Sequence, residues 1–478
     1  MGEGMPVRHR HWIGGRPDDP AGGAYLPTTD PSTRLPGDEI AAGSAADVDR
    51  AVAAAASAQP SWAGWSGADR AEVLHRVADA IEAGAGGLME VERACTGKTE
   101  GQLRMEIGMS AGYFRYYAGV LRAHHGRTID LGAGNHAYTR LEPYGVVAAI
   151  TPWNLPLNQA CRALAPALAA GNAVVAKPSE FTSVSTLSLA RLAGGAGLPA
   201  GLLNVVTGTG PDAGTPLAAH PAVRRVTFTG SVATGRHLAR IAAGRLIPLT
   251  LELGGKSPLV VFADADIDGA VAAAVSAVAF NAGQVCSATT RLLVEAPAHD
   301  AVVGRVVEAV ERLRPGADFG PMITEAQFRK VLDHFDDAKR QGAVPVTGGS
   351  AYDGGPEARG RFVRPTVYAR VPPDLRIARE EVFGPVLVTM PFADEAEALA
   401  LANDTDYGLV GAVWSGDAAR GLRLAERIDA GQVSVNGGAL GIETPFGGFK
   451  SSGYGREKGV EALHEYAQVK TVSLSLRP

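Results

Sequence analysis

Cysteine is scarce in this 478-residue chain, which contains only Cys95, Cys161 and Cys286. Three scattered cysteines are too few for a disulfide framework, and their odd number leaves at least one free thiol. No segment supplies the ~18 uninterrupted apolar residues of a membrane helix. The basic residues within positions 1–16 are not followed by the apolar stretch of a secretory signal. The sequence therefore predicts a soluble protein of the reducing cytoplasm.

An excess of charge of one sign is also missing. The chain has 45 Lys and Arg against 50 Asp and Glu, a net charge of −5. This balance argues against nucleic acid or an anionic membrane surface as a partner, and leaves small molecules and other copies of the chain. The eleven histidines form no His-Glu-x-x-His motif and the cysteines no Cys-x-x-Cys motif, so we predict no metal site.

Short apolar runs separated by Ala- and Leu-rich stretches indicate the fold class. Such runs at 145–150, 173–176 and 203–206 read as buried strands, and the intervening stretches read as helices. A second alternation begins after Gly255, with strands expected near 258–262, 291–295, 385–391 and 432–436. At this length two or three domains are expected. The pattern predicts an α/β protein with two parallel sheets covered by helices.

Two segments carry the chemistry. Cys286 lies in Phe-Asn-Ala-Gly-Gln-Val-Cys-Ser-Ala, and Glu252 lies shortly before it in Leu-Glu-Leu-Gly-Gly-Lys-Ser-Pro. A lone cysteine is more often an inert buried thiol. Beside a carboxylate, however, a thiolate can attack a carbonyl carbon, and the carboxylate can then activate the water that releases the product.

Seven segments in one order resemble the NAD(P)-dependent aldehyde dehydrogenase superfamily. They are Thr-Pro-Trp-Asn-Leu-Pro at 151–156, Lys-Pro-Ser-Glu at 177–180, Phe-Thr-Gly-Ser at 228–231, the Glu252 and Cys286 segments, Glu-Glu-Val-Phe-Gly-Pro at 380–385 and Pro-Phe-Gly-Gly-Phe-Lys at 445–450. The resemblance implies a Rossmann-like NAD-binding domain (1–123 and 142–253) and an α/β catalytic domain (254–445). It also implies a small β oligomerisation flap (124–141 and 459–478) and therefore a homodimer or homotetramer.

The resemblance also implies cofactor residues, namely Trp153, Lys177, Glu180, Gly230, Ser231, Glu381 and Phe383. Lys177 and Glu180 would bind the adenosine ribose hydroxyls, although without the resemblance they could equally be a solvated charge pair. A carboxylate accepts a hydrogen bond from a free 2′-hydroxyl and repels a 2′-phosphate, so Glu180 favours NAD over NADP. The pyrophosphate would face the helix that begins after Gly230 and Ser231, where backbone N–H groups are free.

A glycine pattern at 208–213, Gly-Thr-Gly-Pro-Asp-Ala, imitates a dinucleotide fingerprint. Pro211 suits the start of a helix, so we interpret this segment as a strand-to-helix turn rather than as the phosphate site.

The implied mechanism assigns three roles. Cys286 adds to the aldehyde, Asn154 donates to the oxyanion together with the Cys286 backbone N–H, and Glu252 activates water to hydrolyse the thioester. Asn154 lies between Pro152 and Pro156, which restrict the backbone that carries it. The presence of Glu252 argues against the CoA-acylating branch, which generally lacks this base.

The sequence leaves the class of aldehyde substrate open. Arg162 stands where succinate-semialdehyde dehydrogenases place a carboxylate-binding arginine, so a carboxy-aldehyde is one candidate; alternatively Arg162 pairs with a carboxylate at a helix surface. Phe280 occupies the position of a second arginine in those relatives and favours an aromatic or longer aliphatic aldehyde. A cysteine-dependent ester hydrolase and a noncatalytic nucleotide-binding protein are the rival functions.

Overall fold

The computed structural model describes residues 6–476. The first five residues of the predicted NAD-binding domain and the last two of the predicted flap lie outside the described residues. The strands near the N-terminus are β1 (Arg8–His9), β2 (His11–Ile13), β3 (Arg16–Asp18), β4 (Tyr25–Thr29) and β5 (Pro36–Ala41). Four helices follow, α1 (Ala45–Ala63), α2 (Gly67–Ala83), α3 (Ala85–Thr96) and α4 (Glu100–Val120). Within residues 6–476, no helix is long and apolar enough to cross a membrane.

The next segment forms the first large sheet. Its strands and helices are β6 (Thr128–Ile129), β7 (Asn135–Pro143), β8 (Val146–Thr151), α5 (Pro156–Ala169), β9 (Ala173–Pro178), α6 (Ser183–Gly195), β10 (Leu203–Val205), α7 (Thr215–Ala219), β11 (Val223–Thr229), α8 (Val232–Arg245) and β12 (Leu249–Glu252). Strands β12, β11, β8, β9 and β10 are parallel neighbours in an eight-stranded sheet. All residues of β8 and β9 are buried, as expected for parallel strands covered on both faces.

The second large sheet has seven strands in the order β15-β16-β17-β14-β13-β19-β20. Its elements are β13 (Pro258–Val261), α9 (Ile267–Ala279), β14 (Arg291–Glu295), α10 (His299–Glu311), α11 (Glu325–Arg340), β15 (Pro345–Thr347), β16 (Thr366–Tyr368), α12 (Arg376–Arg379), β17 (Val386–Phe392), α13 (Glu395–Asn403), β18 (Tyr407–Gly408), β19 (Val410–Trp414), α14 (Ala418–Ala425) and β20 (Gln432–Val435). All pairs in this sheet are parallel except β15 with β16. The predicted α/β class with two parallel sheets is therefore confirmed.

The C-terminal segment connects both large sheets. It contains β21 (Phe449–Lys450), β22 (Gly453–Tyr454), α15 (Gly459–Glu465) and β23 (Ala467–Ser475). Strand β22 pairs with β12 at the edge of the first sheet, whereas β21 pairs with β18 of the second unit. Residues 446–458 consequently lie where the two units meet.

Strands β6, β7 and β23 form a separate antiparallel sheet. Nine residue pairs join β7 to β23, from Ala467 opposite Pro143 to Ser475 opposite Asn135. Strand β23 is mostly exposed, including Val469 and Leu474. The extended segments expected for a flap are present, and the exact domain boundaries stay a prediction.

Candidate active site

The candidate site lies at the carboxyl ends of strands of the first sheet. Asn154 follows β8, Gly230 follows β11, and Glu252 is the last residue of β12. Parallel neighbours end at the same edge of a sheet, which is where open α/β sheets bind their ligands. A cleft of about 620 Å³ opens there, lined by Pro152, Trp153, Asn154, Thr229, Gly230, Ser231, Glu252, Leu253, Gly254, Cys286, Gln327, Lys330, Glu381 and Phe383.

Cys286 reaches this cleft from the second unit. It follows a short helical turn, Phe280–Gly283, in which Asn281 and Ala282 adopt left-handed backbone angles (φ 50° and 53°). Non-glycine residues adopt these angles at a cost, and such positions cluster at functional sites. Burial raises the pKa of the Cys286 thiol to about 12, although the positive charge of Arg162 opposes the rise. The resting side chain is therefore a thiol.

Asn154 is buried and tied to the loop that carries Cys286. Its Nδ2 donates to the Gln284 carbonyl oxygen at 2.9 Å, and Asn281 Nδ2 donates to the Asn154 carbonyl oxygen at 2.9 Å. The Gln284 side chain in turn donates to the Pro321 carbonyl and accepts the Ile323 N–H. These bonds hold the Asn154 amide against Gln284, which precedes Cys286 by two residues. The amide has a second N–H, which can donate to an oxyanion.

A buried charge cluster supports the same region from behind. The Leu157 N–H, in the first turn of α5, donates to Glu92 Oε1 at 3.0 Å. Lys98 Nζ lies 2.5 Å from Glu106 Oε1 and 3.8 Å from Glu92 Oε2, and all three side chains are buried. Helix α5 has no capping side chain of its own, so Glu92 satisfies one of its free N–H groups. The sequence motifs did not reveal Glu92.

Glu252 is buried, and neither of its carboxylate oxygens has a hydrogen-bond partner among the described residues. Burial raises its pKa well above the usual range, the nearby Glu457 adds to the rise, and Arg162 opposes it. A Cβ at Gly447 would lie 2.9 Å from Glu252 Oε1, so glycine leaves room for the carboxylate. An unpartnered buried carboxylate with a raised pKa is typical of an acid or base that moves a proton.

Arg162 lies on the buried helix α5, where it forms an ion pair with Glu457 through Nε and Oε2. The pairing expected as the alternative at a helix surface thus exists, but in the interior. The guanidinium also lies 5.0 Å from the centroid of the Phe446 ring. Glu457, which comes from the segment connecting the two sheets, was missed in the sequence because no local pattern links it to Arg162.

Phe280 lies on the other side of the Cys286 loop. With Val285 and Ser287 it lines a separate opening of about 440 Å³ against helix α9. Phe280 lines this opening and Arg162 is buried within α5, so the two side chains do not form one cluster.

Five of the seven predicted cofactor residues line the cleft: Trp153, Gly230, Ser231, Glu381 and Phe383. The rings of Trp153 and Phe383 pack edge to face, with their centroids 5.5 Å apart. Glu381 Oε1 accepts the Gly255 N–H at 2.9 Å, and a Cβ at Gly254 would lie 2.4 Å from the Glu381 carboxylate. Glycine at 254 therefore allows this close approach.

Helix α11 contributes two residues that the sequence motifs did not reveal. Gln327 Nε2 donates to the Val382 and Phe383 carbonyls at 2.7 and 3.0 Å, and Lys330 Nζ donates to the Glu381 carbonyl at 2.8 Å. Both residues line the cleft. They hold the loop that presents Glu381 and Phe383.

A second groove, of about 1010 Å³, continues past the start of α8 and is lined by Ile150, Gly210, Pro211, Gly214, Thr215, Ala233, Thr234, His237 and Leu238. Gly230 and Ser231 line the first cleft, and Ser231 caps α8 by accepting the Thr234 N–H. Lys177 lies near the end of β9, and its Nζ is 3.4 Å from Oε2 of Glu180, which follows the strand. Both hollows have lining residues at the N-terminus of α8, where free backbone N–H groups suit an anionic group. The turn containing Gly210 and Pro211 forms a wall of the groove.

These features define an α/β protein with a thiol and a buried carboxyl group in one cleft at the carboxyl ends of parallel strands. The aldehyde dehydrogenase family model matches residues 19–472, and the chain belongs to this family.

Solved structures of similar chains have the same fold. HpcC from Thermus thermophilus is 39% identical with a TM-score of 0.96, covering 99% of this chain and 94% of its own. Betaine aldehyde dehydrogenase (betB) from Staphylococcus aureus, solved with NAD⁺, is 35% identical with a TM-score of 0.96, covering 99% and 95%. PnpE, solved in complex with nicotinamide adenine dinucleotide, is 38% identical with a TM-score of 0.96, covering 98% of both chains.

Proposed function

We propose that the protein oxidises an aldehyde to its carboxylic acid with NAD as hydride acceptor and without transfer of the acyl group to CoA. The observation that carries this proposal is the meeting of Cys286, Asn154 and Glu252 in one cleft. Nucleophile, oxyanion donor and base come from two different units and converge in this cleft.

In the first step, the Cys286 thiol loses its proton to solvent water and its Sγ forms a bond to the aldehyde carbon. The carbonyl oxygen becomes an oxyanion, which accepts hydrogen bonds from Asn154 Nδ2 and from the Cys286 backbone N–H. NAD, when bound, supplies the nicotinamide carbon that accepts a hydride. The acyl group then remains on Cys286 as a thioester.

Glu252 acts in the second step. As a carboxylate it takes a proton from water, the water oxygen attacks the thioester carbon, and the carbon–sulfur bond breaks to give the acid. Gly447 leaves space beside Glu252 Oε1, and neither carboxylate oxygen has a hydrogen-bond partner within residues 6–476, so the side chain can turn toward water.

The chain would hold NAD through the residues of both hollows. Trp153 and Phe383 would flank the nicotinamide end, Glu381 would accept from its ribose, and Gly230 and Ser231 would face the pyrophosphate at the start of α8. Lys177 and Glu180 would bind the adenosine ribose, where Glu180 disfavours NADP.

The sheet formed by β6, β7 and β23 would be the oligomerisation flap of a homodimer or homotetramer. Its exposed apolar residues Val469 and Leu474 are 67% and 54% exposed in the single chain, which a second copy would cover. The cytoplasmic location stays a prediction.

The test is Cys286→Ala with NAD binding as control. We expect no NAD reduction with any aldehyde, while NAD binding measured by calorimetry stays near the wild-type value. Retained turnover in Cys286→Ala would contradict the proposal. An NAD-independent ester cleavage by the wild type is compatible with it, whereas ester cleavage without any aldehyde oxidation would favour the hydrolase alternative.

A further inference from the structure

Lys458 is a cation without a counter-ion next to the candidate site. It follows Glu457 directly and is half-buried. Its contact is aromatic, because Nζ lies 5.1 Å from the centroid of the Phe446 ring. Within residues 6–476, Lys458 Nζ makes no hydrogen bond and has no carboxylate oxygen within 4 Å. An ammonium in such surroundings has lost water without gaining an anion.

The backbone holds this side chain in an uncommon conformation. Lys458 has φ 59° and ψ 177°, a region that residues with a side chain rarely occupy. A glycine would adopt it without strain, yet the position bears a long charged side chain. Strained non-glycine positions are concentrated at binding and catalytic sites.

Phe446 connects Lys458 to the other groups of the site. The Arg162 guanidinium lies 5.0 Å from the same ring centroid, and Cys286 packs against the cluster of Leu409, Val410 and Phe446. The wall beside the thiol is therefore an aromatic ring with two cations on it. Phe446, and with it Lys458, therefore lies beside the thiol to which a substrate would bind.

The aromatic wall carries two positive charges, and only one of them has a carboxylate partner among the described residues. Glu457 balances Arg162 through their buried ion pair. Burial and the nearby Glu457 raise the pKa of Glu252 well above its ordinary value, and burial raises the pKa of the Cys286 thiol to about 12. Lys458 is left as a surplus positive charge; burial and the repulsion of Arg162 lower its pKa to about 8, so it is still largely protonated at neutral pH. A single anion would neutralise this wall.

We propose that Lys458, on the Phe446 ring beside Arg162, binds a carboxylate remote from the aldehyde carbon, so that carboxylate-bearing aldehydes are the preferred substrates. This inference rests on the proposed oxidation of aldehydes. The sequence offered one cation for this purpose, Arg162, since Phe280 stands where relatives have a second arginine. The tertiary structure supplies the second cation from the C-terminal segment.

Lys458 could also act on Cys286, because its charge would stabilise a thiolate. The two roles differ in what they change. Stabilisation of the thiolate affects every aldehyde equally, whereas a carboxylate contact affects the KM of carboxy-aldehydes alone.

The experiment compares succinic, glutaric and adipic semialdehydes with butanal, pentanal and hexanal in the holoenzyme. The variants are Lys458→Met, which keeps length and removes charge, and Lys458→Arg, which keeps the charge. Lys339→Met, at an exposed position on α11, is the matched control for loss of one positive charge. We expect the wild type to prefer the semialdehyde of the best length over its matched alkanal.

In Lys458→Met, the KM of that semialdehyde should rise about tenfold or more, while the KM of the alkanal changes less than about twofold. Lys458→Arg should restore most of the loss, and Lys339→Met should behave as the wild type. Equal changes for both substrate classes, or a wild type that prefers alkanals, would overturn the inference. If no aldehyde of either class reduced NAD, the proposed function itself would fail.

A variant that does not fold leaves a second measurement on the wild type. Added NaCl should raise the KM of the semialdehyde and leave that of the matched alkanal unchanged, because salt screens a partly exposed ion contact. A salt response that is the same for both substrates would contradict the inference.

Discussion

Replacement of Glu252 by glutamine separates the two halves of the proposed reaction. The side chain is buried, has no hydrogen-bond partner among the described residues, and differs from glutamine by one terminal atom. The substitution therefore keeps shape and removes only the base. Loss of a general base costs roughly 10²- to 10⁴-fold in rate, which corresponds to about 3 to 5 kcal/mol in the barrier for thioester hydrolysis.

The assay is rapid mixing of enzyme, NAD and aldehyde. Acylation should still give one NADH per active site in a burst, while the steady-state rate falls by the factor above. Intact mass spectrometry should detect the acyl group on Cys286. Wild-type turnover in Glu252→Gln, or a burst lost together with the steady state, would refute the assignment of Glu252 to hydrolysis.

The thermal stability of the same variant tests whether the pKa of Glu252 is raised in the folded protein. When the pKa of a carboxyl group is higher in the folded than in the unfolded protein, the free energy of unfolding falls as pH rises from the unfolded-state pKa toward the folded-state pKa. Glu252→Gln removes this loss, so its melting temperature should exceed that of the wild type at pH 8, and the gap should shrink toward pH 4. A gap that is independent of pH would contradict the raised pKa.

Four further outcomes are expected. Without NAD, the rate at which iodoacetamide alkylates Cys286 should rise with pH from 7 to beyond 10, because burial raises the thiol pKa to about 12; a plateau below pH 9 would contradict this. Glu180→Ala should narrow the preference for NAD over NADP in kcat/KM by about tenfold, and a wild type that uses NADP equally well would refute the role. Asp at both Val469 and Leu474 should shift the oligomer toward monomers in light scattering, and an unchanged mass would argue against the flap. Glu92→Leu should lower the free energy of unfolding by about 3 kcal/mol and reduce kcat, while Glu92→Gln, which can still accept from α5, should lose less; equal effects of both would argue against capping.

Much of the fold was predictable because its signals are local. The strands at 145–150, 173–176 and 203–206 appear in the structure as β8, β9 and β10, within two residues at each end. A strand buried on both faces needs an unbroken apolar run, and such a run is visible without knowledge of its neighbours.

Helix α5 shows where local pattern ends. All of its residues from Pro156 to Ala169 are buried, including Arg162, for which a helix surface was one of the two expectations. The sequence shows the arginine but not the carboxylate that allows it to be buried. Glu457 reaches it only because β22 pairs with β12 at the edge of the first sheet.

The sequence by itself determined the α/β class, the resemblance to a family and the segments that hold Cys286, Glu252 and Asn154. These depend on hydrophobic periodicity and on residues close together in the chain. The tertiary structure alone decided what certain charged side chains contact: Glu92 the first turn of α5, Lys330 the Glu381 backbone carbonyl, and Lys458 the Phe446 ring. Contacts between distant segments depend on strand order and loop path, which local side-chain patterns do not encode.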